Sequence, residues 1–498
     1  MSVHTVVGDG PALDASMRCR IAPAPSGDLH VGNVRAALYN WALARRHGGT
    51  FILRVEDTDR SRVSDEAFAA VADVLAWVGL DWDEGPGVGG PYAPYRQSER
   101  TALYHDAAAT LVGAGAAYRC YCTPEELAER RAAAMAAGRA PGYDGRCRSL
   151  TDDERSAFEA AGRTHILRFA MPAGSTTWND LVRGPTTFAH ADIPDFAITR
   201  SDGDPLYILA AAVDDMAMRL THIVRGEDLV PATPRQLALY AALGYPQQAW
   251  PAFGHLPLIT GEDGKPLSKR NGEVSLAYYR RTGFLPEAML NYLALLGWSA
   301  PDGGEIFSMA EMVAAFSLDR VSRNPARFDL RKLEALNGEW IRRISVEDLT
   351  ARVTPFLVEA GLPVDAAVLA AAVPLAQERM TRLDQAPGLL GYLLVADEDD
   401  FVVTDAEVLV AESLGMLEAA ARAAEDIPAE AFTADAVQEA LRGAAEGLGI
   451  KPRQAFGPVR VAVTGRRVSL PLFESMEILG RDRSLGRLQA AVEDIRGW

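Results

Sequence analysis

From Arg18 onward the chain alternates short apolar runs with stretches of helical period. Arg18 to Ala22 predicts a short strand. After a Pro/Gly turn, Val34, Ala37, Leu38, Trp41 and Ala42 recur at the spacing of one helical face. Gly48-Gly49 is placed to end that helix. Thr50 to Val55 predicts a second strand, running straight into Glu56-Asp57-Thr58-Asp59. Ser64 can cap a further helix with Phe68, Val71 and Leu75 on one face. Strand, helix, strand, helix predicts a parallel α/β sheet. Ligands of such sheets sit beyond the carboxyl ends of the strands, where the 25–33 turn and Glu56 would both lie.

Beyond this the pattern changes. Leu80 to Arg100, rich in Gly, Pro and aromatic residues, reads as a long ordered loop. Residues 115–200 read as an insertion of several short strands. The sheet is expected to resume at Leu206-Tyr207-Ile208-Leu209 and at His222-Ile223-Val224-Arg225. Helical period dominates from Ser275, as in Leu285 to Leu296, and from about 340 the chain is alanine- and leucine-rich, predicting helical bundles. The alanine-rich 407–446 stretch stays amphipathic and reads as ordered helix. No internal repeat or low-complexity tract interrupts the chain.

Two segments carry candidate chemistry. Pro23-Ala24-Pro25-Ser26-Gly27-Asp28-Leu29-His30-Val31-Gly32-Asn33 joins a strand to a helix, with a histidine at the helix mouth. A helix mouth offers free backbone N–H groups and positive dipole to a phosphate. Gly264-Lys265-Pro266-Leu267-Ser268-Lys269-Arg270 is a lysine-bearing loop. The chain has only four lysines (Lys265, Lys269, Lys332 and Lys451), and two of them fall there. Lysine is a compact point charge where arginine is a planar fork, and a mobile one can neutralise charge as phosphate bonds break.

Composition narrows the field. The 498 residues predict several domains. No apolar run reaches the roughly 18 residues of a membrane span. Met1 to Ser16 lacks a basic region followed by an apolar core, so no secretory signal is expected and a cytoplasmic location is the default. A net charge of −17 argues against a generic basic nucleic-acid binder. It leaves room for local basic surface, as at Arg342-Arg343 or across Lys451, Arg453, Arg460, Arg466 and Arg467. Cys19, Cys120, Cys122 and Cys147 are too few for a disulfide framework.

These motifs resemble those of bacterial glutamyl-tRNA synthetases, class I aminoacyl-tRNA synthetases. His30-Val31-Gly32-Asn33 stands where that family has "HIGH", and Pro266-Leu267-Ser268-Lys269-Arg270 where it has "KMSKS". Arg54-Val55-Glu56-Asp57-Thr58-Asp59, Gly79 to Pro86, Gly89 to Tyr92, Tyr95 to Ser98, Val224 to Leu229, Asn291 to Gly297, Leu472-Phe473-Glu474 and Leu479-Gly480-Arg481 are also family-like. The resemblance runs from about residue 18 to near the C-terminus. It implies a Rossmann-like α/β catalytic domain (18–114 and 201–255) behind an N-terminal extension (1–17). An acceptor-stem-binding domain (115–200) is inserted in it. A helical stem-contact domain (256–338) and two all-α anticodon-binding domains (339–395 and 396–498) follow. The implied reaction has two steps. Glutamate attacks the α-phosphate of ATP, with Mg2+, to give glutamyl-adenylate. The glutamyl group then passes to the 3′ end of tRNA-Glu, or also tRNA-Gln, on a monomeric enzyme.

The resemblance also assigns residues. His30, Gly32, Ser268 and Lys269 would be catalytic. Arg20, Ala22, Ala24, Glu56, Tyr207 and Arg225 would hold glutamate, the arginines on carboxylate and Glu56 on the ammonium. His30, Gly32, Asn33, Asp228, Ile259 and Lys269 would hold ATP. Arg379 would read the last anticodon base. Cys120, Cys122 and Cys147 with Tyr143 would hold zinc as in some relatives, the alternative being three buried reduced thiols. Ser149 stands where some relatives have a histidine. The chain departs from the family at Ala24, Ala211, Asn33 and Pro266, and Lys265 could replace the first lysine of "KMSKS".

Other readings remain. A glutamyl transferase acting on queuosine in tRNA-Asp, or a small-molecule nucleotidyltransferase, leaves 340–498 without a role. A non-catalytic or specialised tRNA-binding paralogue is opposed by His30, Gly32, Ser268 and Lys269, and kept open by Ala24, Ala211 and Pro266.

Overall fold

A computed structural model of the chain describes residues 3–7, 16–25, 29–59, 63–138, 142–267, 275–396 and 401–497. They fall into two units, residues 1–278 with 289–329, and residues 279–288 with 330–498. The first holds strands β1 (Val3–Val7), β2 (Arg18–Ile21), β3 (Thr50–Leu53), β4 (Ala117–Cys120) and β5 (Ile166–Phe169). It continues with β6 (Gly174–Asp180), β7 (Gly184–Ala189), β8 (Phe196–Ala197), β9 (His222–Gly226) and β10 (Ala252–Leu256). Its principal helices are α1 (Val31–Arg46), α2 (Asp65–Trp77) and α3 (Tyr207–Ala217).

The core of the first unit is parallel. β2 pairs with β3 from Arg18 opposite Thr50 to Ile21 opposite Leu53. β9 pairs with β10 from His222 opposite Ala252 to Gly226 opposite Leu256. The Thr221 N–H donates to the Arg18 carbonyl at 3.0 Å, joining the start of β9 to β2. Phe51, Ile52 and Leu53 are wholly buried, the unbroken apolar run expected of a strand covered on both faces. α1 forms the crossover between β2 and β3, and its buried Asn40 donates to the Val224 carbonyl of β9 at 2.8 Å. α1 ends as the sequence predicts: Gly48 takes φ +63°, and a Cβ on Gly49 would stand 2.4 Å from the Met17 carbonyl oxygen. Ser64 caps α2 by accepting the Ala67 N–H. The expected loop over 80–100 lies along β3: the Leu53 N–H donates to the Glu84 carbonyl and the Val55 N–H to that of Tyr95.

The expected strand at 206–209 is instead the start of helix α3. The apolar run continues through Ala210 to Val213, and a helix sends Leu209, Ala212 and Val213 into the core while burying Asp214 and Asp215 beside arginines. Residues 115–200 carry the short strands expected, with helices Pro124–Ala136 and Asp152–Ala160 among them. β4, β5 and β8 form an antiparallel sheet, and β6 and β7 form a hairpin. β1 adds to that hairpin in parallel, Val3 opposite Gly174 through Val7 opposite Trp178, so the extension carries a strand. The Leu181 N–H donates to the Phe253 carbonyl at 2.8 Å, docking the end of β6 against β10.

The second unit is helical. Leu349, Val353, Leu357, Leu369, Leu390, Leu417 and Leu441 belong to one core in which Ala372, Ala376, Ala420, Ala424 and Ala445 are buried. Small residues at these positions let helices approach closely. The alanine-rich stretch yields the helices Leu414–Glu425 and Ala434–Gly447, each with one buried face. No helix among the described residues is long and apolar enough to cross a membrane.

Candidate active site

A cavity of about 680 Å³ opens beyond the carboxyl ends of β2 and β9. It is lined by Arg20, Ala22, His30, Gly32, Asn33, Glu56, Tyr207, Arg225, Asp228 and Ile259, which brings ten of the candidate residues to one place. Pro266 and Leu267 line it as well, so the lysine loop enters the cavity wall at its described end. Ser268 and Lys269 lie outside the described residues. Ala24 is exposed and Ala211 fully buried, and neither lines the cavity. Lys265 is exposed on the loop, 4.0 Å from Asp263.

His30 is the N-cap of α1. Its backbone is extended, and its Nδ1 accepts the Gly32 N–H at 3.0 Å. An imidazole nitrogen that accepts carries no proton, so in the neutral ring Nε2 is the N–H donor. Side chain and dipole thus present positive character at one helix mouth.

The deeper wall is built on buried charge. Arg54 is fully buried and donates to Asp215 at 2.6 Å and to Glu56 at 3.0 Å. Arg20 lies 3.7 Å from the same Asp215. Burial pushes the Glu56 carboxyl above its ordinary range, while Arg54 and Arg20 pull it back. Burial likewise raises the Tyr207 hydroxyl, opposed by Arg225. Arg225 donates through Nη2 to Thr233 Oγ1 at 2.9 Å. Its Nη1 and the Nε of Arg20 are buried without a hydrogen-bond partner. Two guanidiniums with spare donors and one carboxylate match an amino acid that carries carboxylates and an ammonium.

The sequence reading gave no role to the groups behind this wall: Arg54, which it quoted only within a motif, and Asp215, His255 and Asp180. A signal was present in Asp214-Asp215, two adjacent acids in an otherwise apolar helix, which demand buried partners. Asp214 finds Arg100, Tyr104 and Gln97.

The cysteine cluster is a separate site. The sulfurs of Cys120, Cys122 and Cys147 lie within 4.8 Å of one another. Cys122 and Cys147 are 3.5 Å apart, and the Tyr143 hydroxyl is 3.5 Å from Cys120. A hydrogen bond from Cys147 is the largest influence on the Cys120 thiol, pulling it down to about 4. Three sulfurs and one oxygen at this spacing fit a tetrahedral zinc ion, whose Zn–S bonds are about 2.3 Å.

Arg379 is exposed just past the helix Ala366–Gln377. Burial lowers the pKa of Arg460, and the positive charge of Arg379 adds to the effect. Arg467, in contrast, pairs with Glu407 and is no spare cation.

Comparison with known proteins shows the family of the chain. Residues 348–492 match the family described as anticodon binding domain. The chain is 51% identical over 490 residues to the glutamate–tRNA ligase of Nocardioides sp., covering 96% of this chain and 99% of that one. It is 52% identical over 486 residues to that of Mycolicibacterium smegmatis, covering 95% and 98%. The crystal structure of a glutamate tRNA ligase from Elizabethkingia meningosepticum in complex with its amino acid superposes with a TM-score of 0.85 at 32% identity, covering 96% of this chain and all of that one. Glutamate-tRNA synthetase from Elizabethkingia anophelis gives 0.83 at 32% identity, with the same coverage. With residues 16–335 matching the catalytic domain of class I tRNA synthetases (E and Q), the chain belongs to that family.

Proposed function

We propose that the chain is a glutamate–tRNA ligase, activating L-glutamate with ATP and passing it to the 3′ end of tRNA-Glu. The single observation that carries the reading is the shared cavity, in which the His30 helix mouth, the paired guanidiniums of Arg20 and Arg225, and Glu56 line one wall system. Glutamate carboxylates go to Arg20 and Arg225, and its ammonium to Glu56. The phosphates of ATP go to the Nε2–H of His30 and the N-terminal N–H groups of α1, with Gly32 keeping the approach to the backbone open. Asn33, Asp228 and Ile259 flank the nucleotide. Ala22 and Tyr207 complete the amino-acid pocket. The protein's task is positioning and charge neutralisation, with Ser268 and Lys269 following the charge on departing pyrophosphate. Mg2+ accompanies ATP and supplies further charge neutralisation.

Ala24 and Ala211 do not line the cavity, whereas Asn33 and Pro266 do; the polar side chains of Arg20, His30, Glu56, Tyr207 and Arg225 in the same wall support the catalytic reading over a non-catalytic paralogue. Arg379 would meet the anticodon, and tRNA-Gln is a second acceptor to be tried. One chain carries both the catalytic and anticodon-binding parts, which supports a monomer as the acting unit, and the cytoplasm is the location expected for it. Zinc at Cys120, Cys122, Cys147 and Tyr143 would brace the insertion.

The test is glutamate-dependent ATP–pyrophosphate exchange with and without tRNA-Glu, followed by charging of tRNA-Glu and tRNA-Gln. Exchange and charging are expected. Exchange without transfer, or none with any tRNA, would overturn the ligase reading.

A further inference from the structure

Arg225 is fixed by uncharged acceptors. It is 4% exposed, on β9, directly opposite His255 of β10. Its Nε donates to His255 Nε2 at 3.1 Å, and its Nη2 to Thr233 Oγ1 at 2.9 Å and the Leu229 carbonyl at 3.3 Å. The remaining nitrogen, Nη1, is itself buried and has no hydrogen-bond partner, and Arg225 lines the cavity. Since His255 Nε2 accepts, the ring proton must sit on Nδ1. That atom faces Asp180 Oδ2 at the end of β6, and both side chains are wholly buried. Asp180 is itself held: its Oδ1 accepts the N–H groups of Val182, Arg183 and His255 at 3.0–3.1 Å. Burial lowers the His255 pKa, and the Arg225 charge lowers it further against the pull of Asp180, which keeps the ring neutral.

We infer that Asp180 and His255 are positioning residues for amino-acid recognition: Asp180 sets the His255 tautomer, and the neutral His255 Nε2 aligns Arg225 so that Nη1, left without an acceptor from the protein, can pair with a substrate carboxylate seated against it. The inference rests on the reading of Arg225 as a glutamate-binding residue. A carboxylate in place of His255 would align the guanidinium equally well, but would pair its charge and weaken its attraction for an anionic substrate. Passing the orientation through a neutral imidazole avoids that loss.

The variant Asp180→Asn tests the relay with little change to the fold. Its amide oxygen can keep the three backbone bonds at Oδ1, while its NH2 group donates to His255 Nδ1 and only the long bond from the Trp178 indole N–H to Oδ2, at 3.3 Å, is given up. The ring proton then moves to Nε2 and opposes the Arg225 Nε–H. In the full-length enzyme with selectively 15N-labelled histidine, the His255 signal should change from the Nδ1–H to the Nε2–H tautomer. In exchange assays with tRNA-Glu, KM for glutamate should rise about tenfold to a hundredfold, while kcat and KM for ATP move less than about threefold. An unchanged tautomer, an unchanged glutamate KM, or an equal loss in the ATP parameters would overturn the inference. Should Asp180→Asn fail to fold, His255→Gln, whose amide oxygen can still accept from Arg225, should outperform His255→Phe in glutamate KM. Equal values for the two would overturn it. A wild-type chain without glutamate-dependent exchange overturns the ligase reading instead, and the tautomer of Asp180→Asn then decides the relay alone.

Discussion

The Nδ1 of His30 accepts the backbone N–H of Gly32 at 3.0 Å, so one side chain caps helix α1 and, lining the cavity, carries its ring proton on Nε2. These two roles separate by mutation. His30→Asn keeps a capping oxygen and loses the imidazole donor, whereas His30→Ala loses both. Adenylate formation, read as pyrophosphate exchange, should fall about a hundredfold to a thousandfold in both variants. Only His30→Ala should also lose about 1 kcal/mol of stability in denaturant unfolding. Equal stability of the two would show that the cap contributes nothing.

Glu56 predicts a conflict between stability and binding. Burial raises its pKa in the fold above the ordinary value near 4.5, with Arg54 only partly offsetting this. At pH below that ordinary value the carboxyl is protonated in both folded and unfolded chains, and no penalty exists. As pH rises through the raised folded value, ionising the buried group costs stability that is not recovered above it. Glu56→Gln should therefore be more stable than wild type at pH 7, with the gain vanishing in acid. The same variant should raise KM for glutamate about tenfold or more, because a charge-assisted bond to the ammonium is lost. Denaturant melts at pH 4 and pH 7 together with exchange kinetics check both halves.

How much of this was legible depended on the range of the interactions. His30, Gly32 and Glu56 sit on local strand-to-helix junctions, and local pattern located them. Leu206 to Leu209 deceived because four apolar residues fit strand or helix equally, and only the continuation to Asp215 and its pairing with Arg54, 161 residues away, decides for helix. β1 was invisible for a similar reason. Its partner β6 begins at Gly174, and nothing near Val3 encodes that pairing. His255 sits in the apolar run Ala252–Leu256, where a lone histidine looks like core. Its meaning appears only once Asp180 and Arg225 flank it in space.

Zinc at the cysteine cluster would make the insertion metal-dependent. Purified protein should carry about one zinc per chain by mass spectrometry, and Cys147→Ser should carry close to none. Chelation should lower Tm by several degrees, because metal bound only to the folded state stabilises it by mass action. Tyr143→Phe removes the oxygen 3.5 Å from Cys120 and should weaken zinc binding about tenfold, a smaller loss than any thiol variant. Full metal content in Cys147→Ser would remove that thiol from the ligand set.

Arg379 can meet tRNA in two ways, and the salt dependence tells them apart. A guanidinium bidentate to a base edge gives discrimination of about 1–3 kcal/mol at that position, whereas one on a phosphate adds only counterion release. The charge of Arg379 acts on Arg460, whose Nη1 is tied to Ser469 and the Leu470 carbonyl. Arg379 is the exposed member of the pair. Arg379→Ala should raise KM for tRNA-Glu about tenfold, leave KM for glutamate and ATP in place, and relax selection at one anticodon base. If the loss were instead the same for every anticodon variant and the slope of binding against salt fell by about one, Arg379 would be a backbone contact, and base reading would have to come from another residue of the helical unit.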